Sequence, residues 1–141
     1  DVSNPNETKY TLDYYVKMAL ELEKLGCHSI AIKDMAALLK PRAAKELVGT
    51  LKKELHVPLH LHTHDSTGNG VSTVLMAAEA GVDIVDLAIE SMSSMTSQPS
   101  MNAVVEALRG TKRDTGLDFE ELSELSRYYN RMKYMHHLKV I

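Results

Sequence analysis

Leu59-His60-Leu61-His62-Thr63-His64-Asp65-Ser66-Thr67-Gly68 is the stretch whose pattern sets the fold class. Its leucines and histidines alternate, and a period of two belongs to a β-strand, whose successive side chains point to opposite faces. His60, His62 and His64 therefore share one face, with Leu59 and Leu61 on the other. The polar run Asp65-Ser66-Thr67-Gly68-Asn69-Gly70 ends the strand, and residues 71–80, closed by Gly81, predict a helix.

The same strand-then-helix unit recurs on both sides. Upstream, residues 11–25 carry Leu12, Tyr15, Val16, Ala19, Leu22 and Leu25 at the spacing of a buried helical face, and Gly26 ends the run. Ser29-Ile30-Ala31-Ile32-Lys33 is a β-branched strand with Ile30 and Ile32 on one face and Ala31 and Lys33 on the other. Pro41 suits a first helical turn, and apolar residues at helical spacing follow up to Leu55. Downstream, residues 82–89 predict a third strand, with Val85, Leu87 and Ile89 facing one way and Asp86, Ala88 and Glu90 the other. Residues 101–108 and 118–132 predict helices, the last capped by Asp118 with Glu121 three positions on.

Strand starts fall roughly 25 to 30 residues apart, the cadence of right-handed βαβ units and hence of parallel strands. The class is α/β. All three strand ends run into polar loops, and the inward faces carry small or polar residues, as in a barrel whose functional groups gather at the carboxyl ends of its strands. A closed (β/α)8 TIM barrel needs about 250 residues, so the expected architecture is a partial barrel of about three βα units.

Composition narrows the function. The chain has 141 residues, 16 basic and 19 acidic, with a net charge of -3, no tryptophan and one phenylalanine. Nucleic-acid binders show a basic stripe and aromatic stacking residues, so no nucleic-acid partner is expected. No apolar run reaches the roughly 20 residues of a membrane helix, and the opening residues lack a secretion signal, so no membrane partner is expected. A single cysteine, Cys27, excludes an internal disulfide and suits a reduced, cytoplasmic compartment.

His62 and His64 are the most informative pair, because ligands two apart on an extended strand point the same way and can share one metal ion. Against that stands the plainer reading, in which they are polar residues lining a loop. His60 lies one layer deeper and reads as a hydrogen-bonded interior residue, and His56 as a surface one. Lys33 ends the neighbouring strand on the same face. Alone it would pair with a carboxylate or reach solvent, but a lysine amine that sheds its proton in a partly dry site adds carbon dioxide and becomes an anionic oxygen ligand. Asp34 and Asp65 each follow a candidate ligand and point away from it, which suits capping or orientation of the ligands from outside. Asp86, inward on the third strand, is placed to hold a histidine ring in one tautomer. The donor set suits zinc, manganese or cobalt.

Three blocks carry a resemblance: Ala31-Ile32-Lys33-Asp34-Met35-Ala36-Ala37-Leu38-Leu39-Lys40-Pro41, Leu59-His60-Leu61-His62-Thr63-His64-Asp65 and Ser91-Met92-Ser93-Ser94-Met95-Thr96-Ser97-Gln98-Pro99-Ser100. In this order and spacing they resemble the carboxyltransferase domain of the pyruvate carboxylase family, over most of the chain up to about Tyr129. The resemblance implies a central barrel fragment at 1–129, followed by a tail at 130–141 that follows the family poorly. It implies biotin-dependent carboxyl transfer to pyruvate, giving oxaloacetate, and a divalent metal, zinc or manganese, held by Lys33 as its carbamate, His62, His64 and an aspartate of a strand not in this chain. The implied partners are pyruvate, oxaloacetate, a biotin carrier and the remaining barrel strands, within an oligomeric enzyme.

This fragment is expected to be unable to turn over alone. Two other readings remain: an oxaloacetate decarboxylase α-subunit-like fragment, which Asp65 disfavours because cysteine is common there, and a non-catalytic metal-binding remnant. The chain departs from the family at Ala37 and Ser94, where glycine is usual, and at Ser66-Thr67, where the order is usually reversed. A side chain in place of glycine is expected to strain turns that need a positive φ.

Overall fold

In a computed structural model, which describes residue 2 and residues 4–137, the elements follow the predicted order. Helix α1 is Leu12–Lys24, strand β1 Ile30–Asp34, helix α2 Pro41–Glu54, strand β2 Leu59–Thr63, helix α3 Gly70–Ala80, strand β3 Ile84–Val85, helix α4 Met101–Leu108 and helix α5 Phe119–His137. The strands form a parallel sheet in the order β1-β2-β3.

Local chemistry accounts for several helix ends. The Thr11 hydroxyl accepts from Tyr14 N at the start of α1, and the Ser100 hydroxyl accepts from Ala103 N at the start of α4. Asp118 Oδ1 accepts from the amides of Glu120 and Glu121 at 2.8 and 3.1 Å and starts α5. Pro41 occupies the first turn of α2, and Gly81, at φ 103°, closes α3 in the left-handed conformation. Residues 130–137 continue α5, while residues 138–141 lie outside the described set.

The core lies on one side of the sheet. Ile30, Leu59 and Leu61 pack with Ala44, Leu47, Val48 and Leu51 of α2 and Val74 and Ala77 of α3. The opposite face carries Ala31, Lys33, His60, His62 and Ile84, and Ile84 is 46% exposed there. Among the described residues no second layer covers that face, which in a closed barrel is the interior.

The third strand is shorter than its pattern predicts. Asp86 N still donates to Leu61 O at 3.1 Å, but Ala88 then bonds Pro99 O and pairs with Ser100. The chain beyond Asp86 exchanges its strand partner for the loop that precedes α4, so an apolar alternation extending to residue 89 yields a paired strand of two residues. Asp83 anchors the entry to β3: its N–H donates to Leu59 O, and its carboxylate accepts from Leu59 N at 2.8 Å and Lys52 Nζ at 2.7 Å. Burial pushes that carboxyl up, but these bonds outweigh it and hold it below the ordinary range.

The positions where glycine was expected are strained. Ala37 sits at φ 53°, and Ser94 and Met95 follow one another at 72° and 53°. A left-handed conformation costs a residue with a Cβ roughly 1–2 kcal/mol. Ser94 is exposed, so Ser94→Gly is expected to stabilise the fold by about 1 kcal/mol. Ala37 is buried, and losing its methyl costs about 0.8 kcal/mol, so Ala37→Gly is expected to gain less. Urea midpoints of the two variants read the difference; a Ser94→Gly chain no more stable than the original would show that the turn is unstrained.

Candidate metal centre

The site stands at the carboxyl end of the sheet. Parallel register sets Lys33 opposite His62 and Asp34 opposite Thr63, so alternation places Lys33 and His62 on the uncovered face and turns Asp34 and Thr63 toward the helices. His64 lies one residue beyond β2, yet its ring returns to the same side, with the His62 and His64 centroids 5.2 Å apart.

Partners fix how both rings are protonated. His62 Nδ1 lies 2.7 Å from Asp86 Oδ2, and His64 Nδ1 lies 2.6 Å from the Thr96 carbonyl oxygen. A carboxylate and a carbonyl only accept, so each Nδ1 carries the proton and, in the neutral rings, each Nε2 presents a lone pair. The two Nε2 atoms face each other at 3.3 Å. Two lone pairs that close repel unless positive charge lies between them, as a shared proton or a cation.

A metal ion fits this geometry. Bonds of about 2.0–2.1 Å from two imidazole nitrogens to one zinc ion span such a gap at nearly the tetrahedral angle. Among the described residues no three His, Cys, Asp or Glu side chains gather as a metal-binding cluster, so an ion between the two imidazoles would need donors of another kind or from elsewhere. Lys33 is the nearest candidate for a third donor by register. It is exposed, and among the described residues no group bonds or pairs with its amine.

Asp86 does more than orient one ring. Its Oδ1 lies 2.9 Å from His60 Nε2, while Oδ2 takes His62. The His60 contact has ion-pair distance but poor hydrogen-bond alignment, which leaves that buried nitrogen without a well-formed bond. Burial raises the Asp86 carboxyl, yet the two imidazoles beside it hold it below the ordinary carboxylate range. It is thus an anion at neutral pH, and it draws the His62 proton to Nδ1.

The other two aspartates bind backbone. Asp34 accepts from the amides of Leu38 and Leu39 at 2.9 and 3.0 Å and braces the turn into α2. Asp65 Oδ1 accepts from Gly70 N at 2.7 Å at the start of α3, away from the facing imidazoles. His56 is exposed, as expected, and Cys27 is partly buried against the core. Two participants carried no sequence signal that could single them out: the Thr96 carbonyl, a main-chain group 32 positions from His64, and the Thr63 hydroxyl, hidden between two histidines.

The comparisons with known proteins converge on one group. A family profile described as HMGL-like matches residues 1–128. The chain belongs to the HMGL-like family. It is 52% identical over 134 residues to pyruvate carboxylase of Staphylococcus aureus, covering 94% of this chain and 12% of that protein. It is 49% identical over 130 residues to the mitochondrial pyruvate carboxylase of Rattus norvegicus, covering 92% of this chain and 11% of that protein. The carboxyl transferase domain of Rhizobium etli pyruvate carboxylase, solved with pyruvate, superposes with a TM-score of 0.92 at 49% identity, over 94% of this chain and 22% of that one. The same domain solved with pyruvate and biocytin gives 0.90 at 50% identity, over 92% and 22%.

The resemblance carried by the three sequence blocks is thereby borne out, as is the fold class, a portion of a TIM-type barrel. The chain spans about an eighth of the full-length relatives and under a quarter of the solved domain. Among the described residues no helix is long and apolar enough to cross a membrane.

Proposed function

We propose that this chain supplies part of the metal site of a biotin-dependent carboxyl transfer from carboxybiotin to pyruvate, giving oxaloacetate. The observation that carries the reading is the pair of His62 and His64 Nε2 atoms facing each other at 3.3 Å beside register-paired Lys33. The names of its relatives support the reaction class, and the biocytin and pyruvate in the Rhizobium etli domain support the two substrates. A divalent ion at the site, zinc or manganese by its donor chemistry, supplies Lewis acidity that polarises the keto oxygen of a 2-oxo acid.

The chain's own residues prepare that site. Asp86 and the Thr96 carbonyl hold a proton on each Nδ1, so that both Nε2 lone pairs are free to coordinate. Lys33 acts as a carbamate. Its ammonium first gives one proton to solvent; the freed amine lone pair attacks the carbon of carbon dioxide, a C–N bond forms as one C=O electron pair moves to oxygen, and a second proton leaves the nitrogen for solvent. A cation becomes an anionic oxygen donor. The further ligand, the biotin carrier and the oligomer belong to the rest of the enzyme, and a reduced cytoplasmic setting suits the lone cysteine.

Bicarbonate dependence tests the assignment. Zinc affinity of the chain, measured by competition with a chromogenic chelator, is expected to rise when bicarbonate is added, and Lys33→Ala is expected to remove that rise while keeping weak two-imidazole binding. Bicarbonate-independent affinity in the original chain would overturn the role given to Lys33.

A further inference from the structure

A buried hydroxyl between the candidate ligands joins the two strands. Thr63 is 1% exposed and points away from the imidazole face. Its Oγ1 lies 3.0 Å from Asp34 Oδ2 and 3.2 Å from the His64 carbonyl oxygen, so its single proton is shared between the residue after Lys33 and the main chain of His64. A third link runs alongside, from His64 N to the Asp34 carbonyl at 3.3 Å. Asp34 is itself held by the amide of Leu38 at Oδ1 and by that of Leu39 at the same Oδ2 that takes Thr63. The strand end carrying Lys33 is therefore tied to the strand end carrying His62 and His64 where β2 stops and the chain leaves the sheet's own ladder.

Pairing alone does not set that geometry. His64 is the first residue beyond β2, and its amide makes the last main-chain bond to β1; donors from neighbouring strands serve one cation only if held within about 0.5 Å of a common geometry. We propose that the Thr63 hydroxyl, acting with Asp34, is a positioning group that clasps the Lys33 and His64 strand ends so that their donors meet at one ion. It touches neither metal nor substrate. The inference rests on the metal reading above.

The test uses the whole 141-residue chain, cobalt(II) as the probe, and bicarbonate buffer. Thr63→Val keeps the shape and removes the proton. It is expected to weaken cobalt binding by roughly 10–100-fold, the usual cost of losing a group that supports a ligand, and to change the visible absorption of the bound ion. Thr63→Ser restores the hydroxyl and is expected to recover both affinity and spectrum, which a purely structural role for the threonine methyl would not allow. Should Thr63→Val fail to fold by circular dichroism, Asp34→Asn carries the same expectation.

A folded Thr63→Val or Asp34→Asn chain with unchanged affinity and spectrum overturns the clasp. So does a Thr63→Ser chain as impaired as Thr63→Val. His62→Ala separates the two levels: cobalt binding that survives it, or no binding by the unaltered chain, overturns the metal reading and the clasp with it. Binding lost in His62→Ala but untouched in Thr63→Val overturns the clasp alone.

Discussion

Zinc affinity of the chain is expected to fall by more than about 100-fold in His64→Ala, beyond the 10–100-fold that loss of a supporting group costs. Removing this imidazole takes away one of the two facing Nε2 atoms, 3.3 Å apart, and leaves His62 as the remaining imidazole of the pair beside Lys33. The Thr96 carbonyl also loses its Nδ1–H partner, while the bond from Asp65 N to Ser97 O at 2.9 Å still ties the loop between β3 and α4 to the end of β2. His56→Ala is the control: that ring is exposed, its nearest charged neighbour is Glu23 at 3.6 Å, and no change in affinity is expected. Chelator competition reads both variants. An unchanged affinity in His64→Ala would mean that the facing nitrogens share a proton and hold no metal.

The second large effect concerns the loop on which His64 and Asp65 depend. Gly70 opens α3 where there is no space for a side chain. A Cβ built there would lie 2.6 Å from Asp65 Oδ1 and 2.6 Å from Pro99 Cγ. The Pro99 ring is rigid and fully buried, and Asp65 Oδ1 is engaged with Gly70 N at 2.7 Å, so neither neighbour yields without breaking a contact. Gly70→Ala is expected to destabilise the chain by about 1–3 kcal/mol, the range of an overpacked core site, despite alanine's better helix propensity. Urea unfolding measures it. A loss below about 0.5 kcal/mol, as at ordinary surface positions, would show that the loops after β2 and β3 separate freely.

The two predictions act on different properties. His64→Ala removes a donor from an uncovered face and should leave unfolding largely alone, whereas Gly70→Ala presses on the packing between α3 and the loop before α4. A variant set in which metal affinity and stability fell together would mean that the site is part of what holds this sheet in place.

Much of the site was legible because strand alternation is local. Leu59 through His64 assign their own faces, and the same rule puts Lys33 beside them once β1 and β2 are parallel neighbours. Helix ends were legible for a similar reason, since Thr11, Ser100 and Asp118 bond amides two or three residues away. The length of β3 was not legible: apolar alternation encodes a face but not a partner, and the partner changes after Asp86.

By itself, the order of residues determined the α/β class and the shared face of Lys33, His60 and His62. Only the tertiary structure decided that Asp86 reaches both His60 and His62, that the Thr96 carbonyl sets the His64 tautomer, and that Thr63 ties Asp34 to His64. Faces follow from a two-residue period within one strand. These contacts join positions 24 to 32 apart, and their distances depend on register, twist and loop path, which no short-range pattern contains.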